Sequence, residues 1–302
     1  MLKVDVDTER GLRDGAPRIL DLLTRHGLRA SWFVAMGPDR SGLAALRMFR
    51  QRGFAAKMLR TRAPLVYPWS TLLRGTLLPS VPIVANQPER LCEIAAGGHE
   101  LGIHGYDHVR WHDQLLALPA DDVAHEVAHA CVVFRSVLGR APDAFAAPGW
   151  QCSRSSLQVI DRLGFRLRSD TRGVAPYRPL IDGYRGTVPE LPTTLPTLDE
   201  MVGRTGRSAE DVAACYAGWL REDGVNVHTI HAELEGGPYL PHLDALLQRV
   251  KERMPVRTLG DVAGALPPLH HLPVSRVEMG RLPGRAGTVA IQSGGLASVP
   301  TE

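Results

Sequence analysis

From Leu2 to Ile230 the chain alternates short, nearly continuous apolar runs with amphipathic stretches that stop at glycine, and few folds accommodate that order. Leu2–Asp7 and Ala30–Ala35 read as strands, the second too apolar throughout to be half exposed. Pro17–Leu23 carries a helical apolar face that stops at Gly27, and the helix expected around Pro88–Ala96 stops at Gly97-Gly98, directly before a strand running into His104. Asp121–Leu138 and Ser155–Leu163 end in the same way at Gly139 and Gly164, where glycine is a usual C-terminal stop. Ser208 is placed to cap Ala209–Glu222, with Glu210 and Asp211 in the first turn where the helix dipole favours acids. Phe165–Ser169 and Val225–Ile230 complete the strands. Alternation of this kind buries a parallel sheet beneath helices, so the expected class is α/β and the expected form a distorted (β/α) barrel. Residues 1–266 would build it, interrupted by an insertion over 40–86. Residues 267–302, richer in Pro and Gly, would form a short extension with a hairpin from Arg276 to Ile291 around Pro283-Gly284.

The 302 residues suit one such barrel with an extension, since barrels of this kind take roughly 250 residues. Cys92, Cys131, Cys152 and Cys215 lack a CxxC spacing, which leaves a zinc ribbon or redox motif unsupported and points to free thiols in a reducing compartment. No uncharged apolar run is long enough to span a bilayer. The first strand begins at once, leaving no room for a signal peptide, so a cytoplasmic location is expected.

Loops leaving the carboxyl ends of parallel strands converge, and chemistry collects there. The polar residues of this chain recur at those ends: Asp5 and Asp7, His104 and His108, Asp170 with Arg172, and His231 followed by Glu233 and Glu235. Two imidazoles and one or two carboxylates are what a hydrolytic metal centre needs, with an open position for water. Such a set suits zinc first, and also cobalt or manganese. A rival pattern exists in His125-Glu126-Val127-Ala128-His129, which matches the H-E-x-x-H of zinc proteases. Its helix is a crossover expected on the outside of the barrel, and no third ligand accompanies it. A third reading, a sugar- or lipid-binding module without turnover, has less need of both acids and histidines.

Several stretches together resemble the polysaccharide deacetylases (NodB homology, carbohydrate esterase family 4): Asp5-Val6-Asp7, Gly98 to His108, Pro148-Gly149-Trp150, Ser169-Asp170 and Thr229-Ile230-His231. The resemblance implies a barrel of the NodB-homology deacetylase type and a metal-dependent hydrolase of amide bonds. Asp5–Thr8, His104–His108, Leu191–Thr197 and Thr229–Gly236 are similar, more narrowly, to the branch that deformylates 4-formamido-L-arabinose carried on undecaprenyl phosphate. That narrower resemblance implies a step on the path that adds aminoarabinose to lipid A and confers polymyxin resistance. In the family, one acid of the first motif is a base, the other a metal ligand, and the two histidines complete the metal site. Carried onto this chain, Asp5 is the base, Asp7, His104 and His108 the ligands, and His231 the acid that protonates the departing nitrogen. Backbone N–H groups of Gly149 and Trp150 would serve the oxyanion. Trp150, Asp170, Arg172, Glu233 and Glu235 would contact substrate, with Asp170 or Glu233 orienting His231. The family's third motif usually supplies an arginine that braces the base. Ala146 and Ala147 stand in that region here, so the partner of the base is open.

Acidic residues are absent from Arg40 through Pro88, while Arg47, Arg50, Arg52, Lys57, Arg60 and Arg62 interleave with apolar and aromatic residues such as Phe49, Phe54, Tyr67 and Trp69. Basic charge beside apolar groups suits an anionic membrane surface, and a lipid-linked amino-sugar substrate would give the insertion a purpose. A lid packed on the barrel is the alternative. Nucleic acid is not expected, since no binding motif accompanies the charge, and no obligate protein partner is indicated. The expected place is the cytoplasmic face of the inner membrane.

Overall fold

The computed structural model describes residues 1–50, 73–201, 208–285 and 287–294. In chain order its strands are β1 (Leu2–Val6), β2 (Ser31–Val34), the short pair β3 (Pro38–Asp39) and β4 (Val81–Pro82), β5 (Glu100–Ile103), β6 (Ala144–Phe145), β7 (Leu167–Arg168), β8 (Arg178–Ile181), β9 (Tyr184–Arg185), β10 (His228–His231), β11 (Val274–Gly280) and β12 (Val289–Gln292). Six of them form one parallel sheet in the order β10-β1-β2-β5-β6-β7, curled into a half-barrel. The distorted α/β barrel expected from the sequence is therefore present, as an open one.

All five residues of β1 are buried, as a central parallel strand covered on both faces requires. Leu2, Val4 and Val6 join Trp32, Ile103 and the inward faces of the helices Ala16–His26, Glu89–Ala96 and Ala120–Leu138 in the largest apolar cluster. Side chains alternate across a strand, so Lys3 and Asp5 take the opposite face, toward the hollow of the half-barrel. That hollow also receives Phe33, Ala144, Ala146 and Leu167.

The sheet does not close by regular pairing. Between β7 and β10 lies Leu191-Pro192-Thr193-Thr194-Leu195-Pro196-Thr197, whose two prolines cannot donate to a ladder. The segment nonetheless bridges both edges: Leu191 N donates to Arg168 O at 2.9 Å, while Leu195 N donates to Val227 O at 3.1 Å. Strand β7 is accordingly shorter than the expected Phe165–Ser169.

The expected C-terminal hairpin is present as β11 and β12, paired antiparallel. It joins β8 and β9 in a second, four-stranded sheet, and β12 is tied to the half-barrel where Arg172 N donates to Ala290 O and Gln292 N to Arg172 O, at 2.9 and 2.8 Å. Much of the basic insertion, residues 51–72, lies outside the described residues. Of its described part, Arg74 is committed to Glu9 (2.7 Å) and Asp39 (3.2 Å) rather than to the surface. No described helix is long and apolar enough to cross a membrane.

Candidate active site

Parallel pairing in register sets the site. Asp5 lies directly beside His231 across the β1–β10 pair, and β5 ends at Ile103, delivering His104 to the same edge. Asp7 follows β1 directly. His108 opens the helix His108–Gln114, whose N-cap is Asp107: its carboxylate accepts from Arg110 N at 3.0 Å. Arg40 and Glu126 fasten the same loop, through the Asp107 carboxylate (2.6 Å) and the Asp107 N–H (3.1 Å).

Asp7, His104 and His108 converge. Their ligand atoms all lie within 4.8 Å of one another, the single such grouping among the described residues. Asp7 presents Oδ1 to His104 Nε2 and Oδ2 to His108 Nε2, each at 3.4 Å. Atoms bound at about 2.0–2.1 Å to a shared tetrahedral ion stand roughly 3.3 Å apart, so each Asp7–histidine distance suits a shared divalent cation, and three donors within 4.8 Å can close on one. The tautomer fits as well: His104 Nδ1 bonds to the Ala146 carbonyl at 2.8 Å, which leaves Nε2 as the lone-pair nitrogen facing Asp7. Burial pushes His108 downward and keeps it neutral, as a ligand must be. Burial alone would raise Asp7, but His108 and His104 outweigh it and hold the carboxyl below its ordinary range.

Beside this set, Asp5 is buried and asymmetrically held. Its Oδ2 pairs with Lys3 Nζ at 3.2 Å, and Oδ1 is buried without a partner. Lys3, itself fully buried, also donates to Ser169 O at 3.3 Å and lies 5.3 Å from the Trp150 ring centroid. Ala146 offers no side chain to brace Asp5; a lysine on the acid's own strand stands there instead.

Asp5, Asp7, His104 and His108 line a cleft of about 180 Å³, together with Gly149, Trp150, His231 and four residues not expected there, His112, Asp199, Leu234 and Arg285. Gly149 and Trp150 both have left-handed φ, 60° and 53°. At Gly149 a Cβ would lie 1.9 Å from the His112 ring, so only glycine fits; at Trp150 a bulky residue carries real strain, of the sort that clusters at working sites. Trp150 Nε1 donates to Thr193 Oγ1 at 3.1 Å, which pins the ring in place.

Other expected site residues are turned to different work. The Trp150 N–H already donates to Ala147 O at 3.1 Å, which removes it as an oxyanion donor and leaves Gly149 in the cleft. Arg172 is buried and paired with Glu200 at 2.7 Å; Asp170 is buried near Glu190 and Lys3; neither lines the cleft. Glu233 Oε1 accepts from Asp7 N, Thr8 N and Thr8 Oγ1 at 2.8 to 2.9 Å, so it shapes the loop that carries Asp7 instead of meeting substrate. Burial, then the charge of Asp7, pushes Glu233 up to about 8. Glu235 accepts from His231 N at 2.9 Å. The carboxylate facing the His231 ring is Asp199, 3.9 Å from Nδ1, and neither Asp170 nor Glu233 has that place. His228 is buried against Tyr216 and held neutral by burial, with its pKa pushed down to about 3.

The protease pattern does not assemble. His125 and His129 are exposed on the outer face of the Ala120–Leu138 helix, and Glu126 is buried against Arg110 at 2.6 Å. A signal for His112 was present: it lies four residues after His108, hence on the same helical face, and its ring stacks on His108 with centroids 6.4 Å apart. Nothing in the local sequence marks Asp199 or Arg285.

Residues 4–167 match the family model for polysaccharide deacetylase. A Shewanella sediminis protein described as the 4-deoxy-4-formamido-L-arabinose-phosphoundecaprenol deformylase ArnD is 35% identical over 252 residues, covering 83% of this chain and 81% of that one. A Wigglesworthia glossinidia brevipalpis protein of the same description is 24% identical over 285 residues, 93% of this chain and 98% of its own. Among solved structures, a Mycobacterium smegmatis protein described as a polysaccharide deacetylase superposes with a TM-score of 0.60 at 18% identity, over 90% of this chain and 92% of that one. The family match spans more than half of the chain and takes in the strand ends that bear Asp5, Asp7, His104 and His108, so this protein belongs to the polysaccharide deacetylase family of amide-hydrolysing, metal-dependent enzymes.

Proposed function

We propose that this enzyme removes the formyl group from 4-formamido-L-arabinose linked to undecaprenyl phosphate, in the aminoarabinose modification of lipid A. The observation that carries this reading is the 35% identity to the Shewanella protein over most of both chains. The cleft supports it: about 180 Å³ suits one sugar ring, well short of the roughly 300–1,000 Å³ that larger ligands fill.

In this reading Asp7, His104 and His108 hold a divalent ion, zinc foremost. Such an ion polarises the amide carbonyl and acidifies water. Asp5 takes the proton of the attacking water on Oδ1, its unpartnered oxygen, while Lys3 fixes Oδ2. His231 approaches from the β10 side and passes a proton to the departing amine, with the Asp199 carboxylate 3.9 Å from its Nδ1 to stabilise the charged ring. Gly149, at its sharp left-handed turn, lets the backbone approach the reacting carbonyl. Leu43, Leu46, Leu77 and Leu78, four of the nine large apolar side chains exposed among the described residues, lie within the basic insertion. That edge would meet the anionic headgroups and take the lipid carrier, placing the enzyme at the inner face of the membrane.

The test is formate release from a synthetic formamido-arabinose phospholipid by metal-loaded protein, set against acetate release from acetylated amino-sugar oligomers. Formate from the first is expected. Acetate from the oligomers with none from the phospholipid would move the enzyme to another branch of its family.

A further inference from the structure

The cleft is lined by three carboxylates, Asp5, Asp7 and Asp199, and by one permanent cation, Arg285. This arginine comes from the C-terminal hairpin, just past the Pro283-Gly284 turn, where Gly284 has φ 82°. Its placement is fixed by the hairpin: Arg285 N donates to Leu282 O at 3.2 Å, and Gln151 Nε2, beside Trp150, donates to Thr288 O at 2.7 Å. The guanidinium lies 4.4 Å from the Trp150 ring centroid, and Trp150 is pinned by Thr193. The planar fork therefore rests on a rigid aromatic floor.

Its polar partners are incomplete. No carboxylate oxygen is within hydrogen-bond reach: Glu200 Oε1 lies 3.6 Å away, and Asp199 acts on the guanidinium through its charge. Glu200 is already spent on Arg172, at 2.7 and 3.3 Å, and on Thr197 N at 3.1 Å. The Arg285 side chain is only 14% exposed, so most of it is withdrawn from solvent. An arginine held in this state at the wall of a cleft is arranged for an anion that arrives with the ligand, and its geometry matches phosphate.

We propose that Arg285 grips the phosphate of a glycosyl-phosphate substrate and makes this enzyme select sugar phosphates over neutral glycosides. This rests on the formamido-sugar phosphate reading above. A formamide on C4 and a phosphate on C1 lie on opposite sides of a pyranose ring. With the amide among Asp5, Asp7 and the histidines, the phosphate lies a ring's length away in the same cleft, whose lining includes Arg285, and about 180 Å³ leaves the prenyl chain outside.

The experiment uses two synthetic substrates on metal-loaded protein: formamido-arabinose as a short alkyl phosphodiester, and the same sugar as its methyl glycoside. For the parent, kcat/KM should favour the phosphodiester. A charge-assisted hydrogen bond implies a loss of about 10- to 100-fold on that substrate in Arg285→Gln, carried mostly by KM. On the methyl glycoside Arg285→Gln should lose far less than on the phosphodiester, and Arg285→Lys should recover part of the loss. Near-ultraviolet circular dichroism confirms that each variant folds. Equal losses on both substrates would make Arg285 a packing residue for Trp150 and overturn the grip, as would unchanged kinetics. A parent inactive on both formamido compounds overturns the deformylase reading, and the grip with it.

Discussion

Lys3 and Asp5 form a buried ion pair of 3.2 Å on one face of one strand, and the lysine reaches past the acid to the Ser169 carbonyl. An i, i+2 pair on a strand shares a face by geometry, so the cation that steadies Asp5 comes from the strand that carries it. Removing one member of a buried pair leaves a charge uncompensated, at about 3–5 kcal/mol. Lys3→Met should therefore lower stability by that order in denaturant melts and reduce kcat far more than KM. Lys3→Arg, which keeps the charge, should restore most of both. A Lys3→Met protein as stable and as fast as the parent would remove Lys3 from the account.

Ligand and base should separate in mutants. His104→Ala and His108→Ala should lose bound metal and activity together, because a site of three protein ligands depends on each. Asp5→Asn should retain the metal and lose turnover; His231→Ala should do the same, since its ring lies outside the ligand set. His125→Ala and His129→Ala should change neither property. Elemental analysis alongside rates reads all of these, and metal retained in both His104→Ala and His108→Ala would relocate the site.

Chelation should show in the fold as well as in the rate. A ligand present at a hundredfold its dissociation constant stabilises the native state by about 2.7 kcal/mol. Stripping the ion should lower the parent's melting temperature and leave His104→Ala unchanged. Equal melting with and without chelator would mean that no ion is bound.

Asp170 and Glu190 are both buried, and burial raises each above its ordinary value, with Glu190's charge raising Asp170 further. The cations facing Asp170 are Arg168 and Lys3, and the Cys152 thiol lies close by. Carboxyls that bind protons more tightly folded than unfolded give stability that is full below their unfolded values, near 4, and declines as pH rises. Asp170→Asn removes one of them. Its melting temperature should fall less steeply than the parent's above pH 5, and parallel slopes would discount the pair.

The sequence shows strand ends well and long-range partners poorly. Asp7, His104 and His108 were legible because each follows a buried strand by a few residues, so the backbone alone delivers them. Arg172 and Glu233 also sit at strand ends, but what they touch, Glu200 and Thr8, lies 28 and 225 residues away. No local pattern reveals such a partner. Lys3 could have been found by parity with Asp5. Arg285 could not, since it reaches the cleft on a turn of a separate sheet. The closing segment, Leu191–Thr197, carries prolines that disguise the missing-strand role its backbone bonds reveal.

The membrane contact rests on charge and exposure together. Arg47, Arg50, Lys57 and Arg60 have side chains outside the described residues, while Leu43, Leu46, Leu77 and Leu78 are exposed at the base of the same insertion. Each basic residue near an anionic surface contributes about 1 kcal/mol. Replacing those four by Gln should cut sedimentation with anionic vesicles strongly, and the difference should shrink with added salt, since screening acts over about 8 Å at physiological ionic strength. Activity on a short, water-soluble substrate should be nearly unchanged, because the cleft is built from other strand ends. Vesicle binding equal to the parent's, with activity lost on the soluble substrate, would make the insertion a lid over the cleft.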